Sequence, residues 1–119
     1  MNLVEKMRQS RQNSVKSGKV TFTVRRPTDL EMLELNKKGA IDHREILTQF
    51  TCGWSGVKEK DLFPGGSEDD AKFSAEVFAE FISDHPEHWR SITDAVLDGY
   101  KEHEKKVEGE LKNSNPGSV

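Results

Sequence analysis

Phe50-Thr51-Cys52-Gly53-Trp54-Ser55-Gly56-Val57 is the stretch whose reading decides the fold. It closes one apolar helix and opens a loop. Gly53 and Gly56 flank Trp54 and leave the backbone free to take positive φ. A tryptophan set between glycines outside a helical period is expected to anchor its loop by packing on a core. Gly53, Trp54 and Gly56 are therefore the expected structural anchor. Pro64-Gly65-Gly66 makes a second turn, and Phe73-Ser74-Ala75-Glu76 opens the next helix. The frame is helix, Gly-Trp loop, Pro-Gly-Gly loop, capped helix.

Upstream, Lys19–Arg25 alternates: Val20, Phe22 and Val24 face one way, Thr21 and Thr23 the other. This period of two with β-branched residues predicts a half-buried strand, which Pro27 stops. Thr28-Asp29-Leu30-Glu31 has the spacing of a capping box, and Gly39 suits the position just past that helix. Asp42 and Glu45 repeat the capping spacing, after which Ile46, Leu47 and Phe50 form one helical stripe. Lys58–Lys72 reads as a polar loop held by Leu62 and Phe63, with Lys72-Phe73 able to add a very short strand.

Downstream, Ser74 is the expected N-cap of a helix whose Val77, Phe78, Phe81 and Ile82 share a face. That helix ends before Pro86, which starts another, with Asp84 or His85 as its cap. Trp89, Ile92, Val96 and Tyr100 line one side of the last helix. Beyond Tyr100 only Val107 and Leu111 interrupt charged residues, so this end is expected to project and fray.

The predicted class is α+β, predominantly α-helical, with about four helices and one or two short strands. Residues 1–18 form a flexible polar leader, 19–105 a single small helical domain, and 106–119 a frayed helix end and flexible tail. Only 33% of residues are hydrophobic, so the domain should be marginally stable alone.

Charge is unevenly spread. Met1–Arg26 holds seven Lys/Arg against one acid, Glu5, whereas Pro27–Val119 holds eleven against twenty. A basic head would suit nucleic acid, but Met1–Lys19 has no aromatic residue to stack on a base. The single cysteine, Cys52, excludes an intrachain disulfide and fits a reducing compartment. It has no basic neighbour in sequence to activate it and reads as a small buried filler. No apolar run approaches the roughly 20 residues of a membrane span, and the N-terminus lacks the apolar core of a signal peptide.

Enzyme and metal signatures are missing. His85 and His88 are three apart, with His43 and His103 distant, and one cysteine cannot complete a zinc set; exposed or capping histidines are expected. Asp61, Glu68, Asp69 and Asp70 lack the alternation of a calcium loop. Gly53-Trp54-Ser55-Gly56 lacks the spacing and following helix of a nucleophile elbow, and Pro64-Gly65-Gly66 lacks the Lys-Ser/Thr of a phosphate loop. No catalytic residue, cofactor or metal is expected.

The two apolar stripes carry more. Core packing accounts for most of Val77, Phe78, Phe81, Ile82, Trp89, Ile92 and Val96. The remainder would form a groove for a partner segment.

Taken in order, the Val20–Val24 strand, Arg25-Arg26-Pro27-Thr28, Phe50–Val57, Pro64-Gly65-Gly66 and Phe73-Ser74-Ala75-Glu76-Val77 resemble the tail assembly chaperones of long-tailed bacteriophages and prophages. The resemblance covers Val20 to Tyr100 and excludes the leader. It implies a non-enzymatic protein in the bacterial host cytoplasm. Such a chaperone binds the aggregation-prone tape measure protein until tail-tube subunits polymerise around it. A structural virion protein, such as a head–tail connector or minor tail subunit, is the alternative.

Overall fold

The computed structural model describes residues 1–113. The chain builds a three-stranded antiparallel sheet, β1 (Gln12–Ser17), β2 (Val20–Arg25) and β3 (Thr51–Ser55), in the order β1-β2-β3. β2 is the central strand because its alternation is real: Val20, Phe22 and Val24 are buried and the residues between them are half-exposed. Helices cover that inner face. They are α3 (His43–Phe50), α5 (Ala75–Ser83) and α6 (Trp89–Asn113), the last entered through a 3₁₀ turn at Pro86–His88. Ile46, Leu47, Phe50, Phe78, Phe81, Ile82, Ile92 and Val96 meet the β2 side chains in one core.

The α+β class holds, but the count of four helices does not. Three further helices join the three that cover the sheet: α1 (Leu3–Gln9), α2 (Asp29–Lys37) and the single turn α4 (Glu59–Leu62). Of these, α2 was expected; α1 and α4 were not.

The leader is also corrected. Residues 12–17 are an edge strand paired with β2 from Gln12↔Arg25 to Ser17↔Val20. The alternation visible in β1 is weak because only Val15 and Ser17 are drawn inward. Its order comes from ladder hydrogen bonds and from α6, which packs against it. A polar edge strand suits this position, since charged and polar side chains discourage unwanted pairing.

The Gly-Trp stretch is a strand and not a loop. Phe22 faces Trp54 and Thr23 faces Gly53, whereas Val24 faces Thr51, so Cys52 is the extra residue of a β-bulge. The bulge turns Thr51 inward and Cys52 outward. Cys52 is exposed, which corrects its reading as a buried filler. Gly53 lies in the extended strand, and only Gly56, at φ +87°, uses the left-handed freedom.

Caps follow the sequence closely. Thr28 Oγ1 accepts from Glu31 N, while Glu31 returns the bond to Thr28 N. Ser74 Oγ accepts from Val77 N. Asp42 caps α3 by accepting from Arg44 N, but Glu45 pairs with Lys38 at 2.8 Å and closes no box. Gly39 has φ +84° just past α2. Neither Asp84 nor His85 supplies a side-chain cap to the Pro86 turn.

Residues 58–72 contain α4 and fold back on themselves, with Ala71 N bonded to Val57 O and Glu59 N to Asp69 O. The bridge there joins Lys58 to Asp70 rather than forming at Lys72-Phe73. α6 continues as helix through Asn113; residues 114–119 of the expected tail lie outside the described residues.

One ion pair joins β2 to α2. Arg25 donates to both oxygens of Glu31, at 2.7 and 2.9 Å, and its guanidinium lies 4.7 Å from the Phe50 ring centre. The Arg25 bonds, helped by Thr28 N–H and Gln49 and opposed by burial, lower the Glu31 carboxyl to about 2. A depressed carboxyl stabilises the fold above its unfolded value, 4.5, and that contribution is lost as pH falls from there through 2. Glu31→Gln should cost about 2 kcal/mol at pH 7, discounted for partial exposure, and nothing further below pH 2. Paired urea melts across pH 7 to 2 check this: a gap that stays constant with pH would show that the charge is irrelevant.

Candidate partner-binding surface

The seven residues expected to form a groove divide sharply. Phe78, Phe81, Ile82, Ile92 and Val96 are all core residues, at most 6% exposed, and offer a partner almost no surface. Each faces the sheet or a neighbouring helix, which uses up the apolar stripes. Val77 and Trp89 remain accessible, each at 36%.

These two lie in different clefts beside α5, with Glu80 between them. The larger, about 570 Å³, runs between α3 and α5, with Leu47, Ala79 and Ile82 in its lining and Trp89 at its end. Its rim is polar: Asp42, Arg44, Thr48 and Glu80. Trp89 is fixed by its indole N–H, which donates to Ile82 O. The second cleft, about 440 Å³, lies between α4 and α5 and is lined by Leu62, Val77 and Phe81 beneath Glu76, Glu80 and Asp84. Phe63, 54% exposed, follows Leu62 in the chain.

Trp54 is an anchor of a different kind from the one expected. It is half-buried in β3, and its indole N–H donates to Ala71 O at 2.8 Å. Its ring meets Phe73, Phe81 and Phe78 with centroids 5.4, 5.3 and 6.1 Å away. It therefore pins the 58–72 excursion to the sheet and sets the position of α4 beside α5.

The histidines depart from expectation too. His88 is buried, and its Nδ1 is 2.7 Å from Ser17 Oγ on β1. Burial lowers its pKa, and its ring packs on Phe22. No carboxylate is hydrogen-bonded to it among the described residues, so this serine–histidine contact lacks the third member of a relay and ties the edge strand to the helices. His85 stacks on Phe81 and donates Nδ1–H to Phe81 O. His103 and Tyr100 both reach Asp29. Among the described residues no group of three or more His, Cys, Asp or Glu could hold a metal ion, and no helix is long and apolar enough to cross a membrane.

Sequence reasoning missed the acidic stripe Glu76, Glu80, Asp84. Its spacing of four was legible, since such residues share one helix side. What was not legible was that this side would border an apolar cleft. No protein-family model matches the chain, and no curated protein or solved structure matches it.

Proposed function

We propose that this protein is a non-enzymatic tail assembly chaperone of a long-tailed bacteriophage or prophage. In the bacterial host cytoplasm it holds the tape measure protein until tail-tube subunits assemble around that protein. The observation that supports this reading is the α3–α5 cleft, an open apolar trough with Trp89 at its end and a polar rim. A trough of this kind takes an apolar side chain or helix stripe from a client without reading a long sequence. Burying about 200 Å² of apolar surface, both partners counted, contributes roughly 5 kcal/mol before association costs, which take back much of it. The resulting hold is modest, as suits a protein that must release its client.

Co-expression with the tape measure protein of the same phage should raise that protein's soluble fraction several-fold. Thr48→Arg places a long charged side chain across the cleft from an exposed position and should remove the gain while leaving the thermal melt within about 2 °C. A tape measure protein that stays equally insoluble overturns the reading. Recovery of this chain in stoichiometric amount from mature particles would replace it with a structural virion protein.

A further inference from the structure

The first helix is the least accounted-for element of the molecule. α1 has no buried residue, and Leu3, Val4 and Met7 are 72, 53 and 50% exposed. At helical spacing these three form one stripe, with Lys6 and Arg8 flanking it on either side. Neither base forms an ion pair among the described residues. Seven residues are too few to hold a helix in water without a packing partner.

The complementary surface is the α4–α5 cleft. Val77 and Leu62 supply an apolar floor, and Glu76, Glu80 and Asp84 run along its rim at spacings of four. These three carboxylates also form no ion pair among the described residues. Like charges four apart on a helix repel one another, so a basic occupant relieves a cost the free protein carries.

The chain's own α1 cannot be that occupant. α1 joins β1 at Gln12, the end of the hairpin paired with Arg25. The cleft lies at the other end, where Lys19 pairs with Asp61 of α4 at 2.7 Å. The length of β1, about 20 Å, separates them, and Ser10-Arg11 is too short to turn α1 back across it. We infer that α1 of one copy docks in the α4–α5 cleft of a second copy, a head-to-tail contact that repeats from molecule to molecule. Such a contact leaves one α1 and one cleft free at the ends until a ring closes. A helix of seven residues cannot cover the roughly 800 Å² per partner of a standard interface, so the association is weak, concentration-dependent and sensitive to salt. This inference shares only Glu80 with the client cleft, and a test that leaves Glu80 in place keeps it apart from the chaperone reading.

Sedimentation velocity of the full chain tests it without any tape measure protein. Wild type should grow beyond a monomer as concentration rises, with association weakened about tenfold or more in high salt. Leu3→Asp should leave a monomer with an unchanged thermal melt, because Leu3 is 72% exposed and no residue of α1 is buried. Glu76→Lys with Asp84→Lys, both exposed and both outside the client cleft, should do the same from the other side. The decisive sample is a mixture of these two variants. One has an intact cleft and the other an intact α1, so they should form a one-to-one dimer and nothing larger. A wild-type chain that is monomeric at every concentration overturns the proposal. So does association that survives either variant, or a monomer whose α1 binds vesicles containing phosphatidylserine.

Discussion

Gly56→Ala is expected to destabilise the protein by roughly 3–5 kcal/mol, at the severe end for one substitution. Two costs add. Gly56 sits at φ +87°, where a β-carbon is strained by about 1–2 kcal/mol. A Cβ built there would also lie 2.4 Å from the Lys19 backbone oxygen. Lys19 belongs to the β1–β2 turn, so relief requires moving the hairpin away from the chain leaving β3. The melting temperature should fall by roughly 15–25 °C. Gly18→Ala is the control: φ is +61° but nothing lies within 4 Å of the added carbon, so only the conformational strain remains, about 1 kcal/mol. Equal losses at the two positions would show that close approach to Lys19 plays no part.

Phe22→Ala should cost a similar 3–5 kcal/mol, for a different reason. Phe22 is fully buried at the centre of β2, with its ring 6.1 Å from that of Phe78 and 5.1 Å from that of His88. Removing it opens a cavity where sheet, α5 and α6 meet, and neighbours fixed on three elements cannot collapse into it. Thr23→Ala, one residue on and on the opposite face, should cost less than about 1 kcal/mol. Urea unfolding with an unchanged slope would separate lost stability from an altered unfolded state. A loss under 1 kcal/mol for Phe22→Ala would mean that the two layers are not packed around this ring.

The proposed function and the inferred self-association draw on two neighbouring clefts of α5 that meet at Glu80. The trough toward α3 is apolar with a mixed polar rim, whereas the trough toward α4 is edged by three carboxylates. The first suits an apolar client, the second the basic face of α1. The uneven charge of the chain, basic before Pro27 and acidic after it, thereby gains a physical reading that neither half suggests alone.

What could be read from the sequence is what local chemistry determines. The Val20–Arg25 alternation, the Thr28–Glu31 box, the Ser74 cap and the stripes of α3, α5 and α6 each depend on residues within a turn or two of one another. Tertiary structure decided the rest. β1 carries little apolar pattern, and pairing with β2 under α6 makes it a strand. β3 is broken by Gly53 and a bulge, so its period of two is lost in the one-dimensional record. Among the stripe residues, only packing could determine that Phe78 and Ile92 would be sealed while Val77 and Trp89 stayed accessible. Amphipathic spacing states which side of a helix is apolar. How much of that side remains uncovered depends on the elements that arrive from elsewhere in the chain.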